Sequence, residues 1–531
     1  MKNLLYTTAI VLLARAALAQ NCPPATAYEF LDINNVKARI NNGGDMWWDL
    51  DHDAQYVVPK TGNTSALFAG ALWIGGMDAN GELHVAAQTY RQTGNDFFPG
   101  PLDQTGNVST QACQDFDRIW KVNKSAIDSF IAGQFTVAPA SIAQWPGKGN
   151  PNLSFLPDQN LAPFVDVNGN GTYNPADGDY PEIPGDQALW FVFNDKGNVH
   201  SETSASPIGI EVQCTVYAFE GTGTCLNNTT FYHYKIINKS SVSLDSAFIG
   251  LWTDPDLGCA FNDYFGCDTL NNLGIVYNID SLDDGSGCTF NYGNDPPVLA
   301  IDLLKGVEDE EGILHYMDHF MYYQNDFGAA GNPQNKEDYY GYLQSVFSGG
   351  AHLLNPDGIE TDFAYPGDPP DPEGWSLCEE NGSPSDFRFI MSSGPFRFDP
   401  GEAQTFDLSV VWDNNSVYPC PSYSTIIDAA DCVDDYFKSN VVFTGLSAPS
   451  ISDNLAEVFP NPVQEQRGSI DFHLKNAELI RIYDVAGTLI SALDVHGQTA
   501  AHLHADFRKG LYIYQVIFRD QSVTTGKFLV L

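Results

Sequence analysis

The segment Asp166-Val-Asn-Gly-Asn-Gly-Thr-Tyr-Asn-Pro-Ala-Asp177 spaces its oxygen side chains as a hard cation requires. Asp166, Asn168, Asn170, Asn174 and Asp177 fall at positions 1, 3, 5, 9 and 12 of a twelve-residue loop. Thr172, at position 7, offers its carbonyl, and Gly171 at position 6 allows the sharp bend. Calcium is the ion expected, with Asp in place of the usual Glu at position 12. Pro175 and Pro181 oppose a following helix, so the loop should be helix-free. Few of its ligands are charged, which suits the affinity of extracellular modules, roughly 0.1–1 mM.

A weaker cation site is expected from Asp254, Asp256, Asp263 and Asp268. Four carboxylates drawn together repel unless a cation or protons intervene. The run Asp49-Leu-Asp-His-Asp53 alternates acids but lacks a ligand at position 12, where Lys60 stands. His315 and His319 share a face at either helical or strand spacing, which suits zinc, although no third ligand is evident. GxSxG, P-loop, GxGxxG and HExxH patterns are absent, so no catalytic residue is assigned. Glu202, in His200-Ser-Glu-Thr203, is an isolated acid to which the sequence assigns no role, surface, turn or other. Trp47, Trp48, Trp73, Trp190 and Trp252 lie in or near apolar runs, where burial competes with stacking on sugar.

These residues need a scaffold, and strands supply it. Apolar and aromatic runs at 66–74, 83–87, 189–193, 211–219, 230–237 and 406–412 read as strands. The polar turn over 238–243 reads as a hairpin connection. Helices are expected only at 125–132, 336–347 and 424–437. The fold class is mostly β: a large antiparallel β-sandwich-type body over 20–445, of one or two subdomains. A small polar linker over 446–456 leads to a small C-terminal β-sandwich over 457–531.

The chain has 531 residues, 25 Lys+Arg against 67 Asp+Glu, and a formal charge of −42. Such a surface repels nucleic acid and anionic membranes. A hydrophobic fraction of 43% and an aromatic fraction of 13% are too high for a disordered acidic chain. Lys2, the apolar Leu4–Ala14 stretch and Ala17-Leu-Ala19 read as a signal peptide over 1–19. No later stretch is long and apolar enough to span a bilayer, so the mature chain is expected to have no transmembrane segment. Ten cysteines, an even number in an exported chain, point to disulfides. Connectivity is open, with Cys259/Cys267 and Cys420/Cys432 the shortest loops to close.

Four ordered motifs mark the C-terminal segment: Val458-Phe-Pro-Asn-Pro462, Ile482-Tyr-Asp-Val-Ala-Gly487, Lys509-Gly-Leu-Tyr-Ile-Tyr514, and Gly526-Lys527 before an apolar terminus. Residues 451–531 thereby resemble the type A C-terminal sorting domain of type IX secretion cargo from Bacteroidota. In that resemblance Pro460, Asn461, Pro462, Asp484, Gly487, Gly510, Tyr512, Gly526 and Lys527 carry the sorting signal. It implies Sec export, type IX translocation, and release or attachment to surface lipopolysaccharide. The body, through Gly43-Gly-Asp-Met-Trp-Trp-Asp49, Gly70–Gly76, Leu226–Phe231 and Leu251–Gly258, is similar to a family of large cargo proteins without an established activity. The expected function is therefore a calcium-stabilised surface or secreted protein that is adhesive, structural or ligand-binding, with extracellular glycan as a further partner. The alternative is a secreted polysaccharide hydrolase, marked by a deep cleft with two carboxylates about 5–10 Å apart.

Overall fold

The computed structural model describes residues 21–155, 159–221, 223–285, 288–441, 455–459, 469–475, 477–484, 489–495, 500–504, 509–518 and 523–530. Two compact units divide at Phe443/Thr444. The signal-peptide segment lies outside the described residues, as does the linker over 446–454. The last two residues assigned to that linker, Leu455 and Ala456, belong to the strand Leu455–Phe459.

The first unit is built on two antiparallel sheets of nine strands each. One runs, in spatial order, Tyr28–Leu31, Lys37–Asn41, Asp45–Met46, Ala69–Asp78, Leu244–Asp254, Phe387–Phe398 and His319–Gln324. Leu83–Ala87 pairs with Ala69–Asp78, and Tyr56–Val57 with Lys37–Asn41. The other runs Asp263–Asp268, Leu273–Asn278, Val298–Lys305, Ala403–Asp413, Thr229–Asn238, Ile210–Ala218, Gln187–Asn194 and Phe98–Pro99. Trp120–Asn123 also pairs with Gln187–Asn194.

The six strands read from sequence are present, because β-branched and aromatic residues suit a pleated, half-buried surface. One large apolar cluster joins the two sheets. Trp47, just past the first-sheet strand Asp45–Met46, meets Tyr232 of the second sheet, ring centroids 5.7 Å apart, and its indole N–H donates to the Tyr232 hydroxyl at 2.8 Å. Trp73 and Trp252 stack at 6.3 Å, donating to the Gln88 carbonyl and the Tyr323 hydroxyl. Each indole thus buries its ring and satisfies its one donor, the condition for a favourable buried Trp.

The polar turn over 238–243 does not join a hairpin. Thr229–Asn238 pairs with Ile210–Ala218 and Ala403–Asp413, whereas Leu244–Asp254 pairs in the other sheet. The segment is a crossover, fixed by Asn238, whose amide donates to the carbonyls of Val242 and Phe398. Helices form at Lys124–Ile131 and Ser424–Asn440, near the expected bounds; Lys336–Tyr342 stops short of the expected 347.

A satellite core of Phe116, Trp120, Ile142, Trp145, Phe164, Tyr173 and Trp190, among others, covers one edge region of the second sheet. It was not evident from the sequence, since its apolar residues are scattered through Gly- and Pro-rich loops. The second unit has a three-stranded sheet (Leu455–Phe459, Ser469–Lys475, Ala500–His504) and a four-stranded sheet (Leu489–Asp494, Ala477–Asp484, Gly510–Phe518, Val523–Val530). They share a core that includes Phe472, Ile480, Tyr514 and Val516, consistent with the small sandwich expected.

Candidate cation sites

The 166–177 loop is the tip of a two-stranded ribbon, Phe164–Val165 against Tyr180–Pro181. Its curvature follows from left-handed backbone at Gly169, Gly171 and Gly178, with φ of 73°, 76° and 99°. The chain wraps around Asp166: Oδ1 accepts from Gly169 N–H at 2.8 Å, and Oδ2 from Gly171 N–H at 2.6 Å. Asn168 and Asn170 turn their carbonyl oxygens back onto the amides of Asn170 and Thr172. Asn174 caps a single 3-10 turn, Pro175–Asp177, and its amide donates to Asp177 Oδ2 at 2.9 Å. The sequence thus foresaw the absence of a helix of useful length here.

The sequence did not show the tie that Asp179 makes. Asp179 is buried, and its two oxygens accept from Val167 N–H and Asn174 N–H, both at 2.9 Å, tying the limbs of the loop together. Tyr173 anchors the loop in the satellite core, its hydroxyl donating to the Ile142 carbonyl at 2.6 Å. Each of these oxygens also carries a second lone pair.

Of the second predicted group, Asp254 and Asp256 converge, but with Asp386 as their third member. One carboxylate oxygen from each lies within 4.8 Å of the others. Arg388 donates to Asp254 Oδ2 at 3.1 Å and pairs with Asp386, and Tyr90 donates to the same Asp254 oxygen at 2.6 Å. Asp254 Oδ1 is buried with no hydrogen-bond partner. Burial pushes the Asp254 carboxyl up, against the pull of Arg388. Burial, then the charges of Asp254 and Asp386, push Asp256 well above the usual carboxylate range.

Asp263 is a buried neighbour, also pushed well up by burial, with Oδ2 accepting from Leu257 N–H at 2.8 Å. Asp268 does not join. It closes the opposite end of the strand Asp263–Asp268, five residues or about 16 Å away, and accepts from the Leu270 and Asn271 amides. Neither of the two shortest loops, Cys259/Cys267 and Cys420/Cys432, is closed by a disulfide. Bonds join Cys22–Cys113, Cys225–Cys432, Cys259–Cys288 and Cys378–Cys420, while Cys214 and Cys267 are free and buried. Chain separation ranks the entropy of closure, but the sheet order decides which sulfurs meet.

The Asp49–Asp53 run is a hairpin tip in which Asp49 Oδ1 accepts from the amides of Asp51, His52 and Asp53. His315 and His319 do not converge: His315 faces Asp309 and Asp318, and His319 faces Ser345 and Asp362. Trp47, Trp48, Trp73, Trp190 and Trp252 are each at most 1% exposed, which removes all five from sugar stacking. Glu202 is a buried node rather than a surface acid, accepting from Thr89, Thr93 and Tyr339, and burial pushes its carboxyl up. An open groove of about 530 Å³ runs beside the second acid group, lined by Asp53, Lys60, Asp256 and the exposed rings of Phe261 and Phe290.

In the second unit, Asp484, Gly510, Tyr512, Gly526 and Lys527 lie in one four-stranded sheet, where Asp484 pairs with Tyr512 and Lys527 with Ile513. Pro460, Asn461, Pro462 and Gly487 lie outside the described residues. Residues 457–531 match the family model of the secretion system C-terminal sorting domain. The chain is therefore type IX secretion cargo, secreted or displayed at the outer surface. Among the described residues no helix is long and apolar enough to cross a membrane.

No curated protein matches the chain. Solved structures similar in part include CopC from Methylosinus trichosporium OB3b, 18% identical over 14% of this chain and 90% of that one, with a TM-score of 0.12. The polysaccharide lyase BACCELL_00875 is 10% identical over 70% of this chain and 39% of that one, at 0.18. The adhesin domain of Epf from Streptococcus pyogenes is 7% identical over 57% and 80%, at 0.13. Superposition this slight bears on neither fold nor function.

Proposed function

We propose that the chain is a calcium-stabilised β-protein that acts at the cell surface or in the medium by presenting a rigid binding surface. Its role is adhesive, structural or ligand-binding, and its partners after export are surface lipopolysaccharide or extracellular glycan. The observation that supports calcium best is the 166–177 loop, where Asp166, Asn168 and Asn170 each accept a backbone amide of the same loop, under a backbone bent at Gly169 and Gly171. Asp254 and Asp256, with Asp386 in the place expected for Asp263 and Asp268, form a second, weaker calcium site in this reading. The test is metal analysis of the purified secreted protein, with thermal melts in calcium and in chelator. Bound calcium and a lower midpoint in chelator support the reading. Identical melts and no bound calcium overturn it.

A hydrolase reading has one observation in its favour. Asp256 lines the groove, and burial with the charges of Asp254 and Asp386 pushes its carboxyl well above the usual range, the direction a general acid needs. A polysaccharide screen separates the readings. Release of reducing ends that Asp256→Asn abolishes would favour the enzyme; none at all favours the binding protein.

A further inference from the structure

The hairpin formed by Ala69–Asp78 and Leu83–Ala87 holds a group unrelated to either calcium candidate. In its register Met77 faces Leu83 and Gly76 faces His84. Glu82 and His84, two residues apart, project to one side, and Asp78 meets them across the turn. One ligand-type atom from each of Asp78, Glu82 and His84 lies within 4.8 Å of the others.

His84 decides what this group does. The residue is 8% exposed, and its Nδ1 lies 3.2 Å from the Pro207 carbonyl. A carbonyl only accepts, so Nδ1 carries the proton and Nε2 presents its lone pair. Nε2 is buried and has no hydrogen-bond partner. Asp78 Oδ2 lies 3.8 Å from it, beyond hydrogen-bond range. An ion pair through a protonated Nε2 would leave that N–H without an acceptor at bonding distance.

The carboxylates are held in place as metal ligands commonly are. Asp78 Oδ1 accepts from the amides of Asn80 and Glu82, both at 2.8 Å, which fixes the plane of the group. Ser206 donates to Glu82 Oε1 at 2.7 Å. Two ligands each about 2.1 Å from one ion sit roughly 3–4 Å apart, which spans the 3.8 Å between Nε2 and Oδ2. A dication would also balance the two carboxylates. The nearby cation, Lys336, donates to the Leu83 carbonyl at 3.4 Å.

We propose that His84 Nε2, Asp78 and Glu82 bind one divalent first-row transition ion, with zinc as the best-suited ion. An imidazole with two carboxylates favours such an ion over calcium, which takes oxygen alone. Three protein ligands leave coordination positions for water, and Glu82 is exposed, so the site opens to solvent. The site is separate from the calcium loop, so its failure leaves the calcium reading standing.

The experiment uses the untagged, chelator-stripped secreted protein titrated with zinc chloride in excess calcium, by calorimetry and by X-ray absorption at the zinc edge. The expected result is one zinc per chain, with one imidazole nitrogen in its first shell. Glu82→Gln, an exposed change, should weaken binding at least 10-fold. His84→Gln should remove the imidazole signature and the binding, while Asp166→Asn leaves both intact. The proposal is overturned if no zinc binds under these conditions. It is overturned equally if binding is unchanged in Glu82→Gln and His84→Gln, since the zinc would then sit on other histidines.

Discussion

At the scale of single residues, the buried acids set the pH behaviour. Burial raises the carboxyl of Asp254 to about 6, and pushes those of Asp256, Asp263 and Asp302 well above the ordinary carboxylate range. Between the ordinary carboxylate value and these raised ones, the folded state keeps protons that the unfolded chain has lost. Stability must then fall as pH rises, and it is fully present below the ordinary value. Asp49 and Asp103 act in the opposite sense. Hydrogen bonds outweigh burial and hold them low, so their contribution is lost only as pH falls below the ordinary range. In chelator, the urea midpoint should be highest near about pH 4 and decline toward neutrality. A midpoint that is flat over that range contradicts the buried-acid description. A second prediction concerns Asp179. Its replacement by Ala leaves the amides of Val167 and Asn174 unpaired, and should cost about 2–4 kcal/mol in denaturant titrations. The sequence could name Asp166, Asn168 and Asn170, because their spacing is local. It could not name Asp386, nor the tie that Asp179 makes between the limbs of the loop, since both depend on where the folded chain brings them.

At the scale of elements, apolar and aromatic runs located the main strands, since Ile210–Ala218 and Thr229–Asn238 bury nearly every residue. Partners were another matter. The turn at Asn238 looks like a hairpin locally, yet each flanking strand finds a better neighbour in a different sheet. The disulfides show the same limit: Cys225–Cys432 spans 207 residues and ties the helix Ser424–Asn440 to the short turn Cys225–Asn228. Replacing both by Ser should cost about 2–5 kcal/mol and expose that helix to limited proteolysis. Thiol titration should find Cys214 and Cys267 unreactive in the native protein and reactive in denaturant.

At the scale of the whole molecule, export and architecture are linked. The sorting residues that are described share one sheet of the C-terminal unit, and the body forms a compact unit with its own core. Deleting residues 457–531 should leave the protein in the periplasm, detected by fractionation and immunoblot. Surface delivery of the truncated chain would contradict a sorting role for that unit. Once outside the cell, millimolar calcium would add stability by mass action. At about 10 mM calcium, a loop with a dissociation constant of roughly 0.1–1 mM gains about 1.4–2.7 kcal/mol. The most direct measurement is calcium content and thermal melting of the secreted protein beside its Asp166→Asn variant, each in calcium and in chelator. The calcium reading predicts bound calcium and a midpoint several degrees lower in chelator for the natural protein, with a much smaller shift for the variant. Absence of calcium and superimposable melts for the natural protein would contradict it.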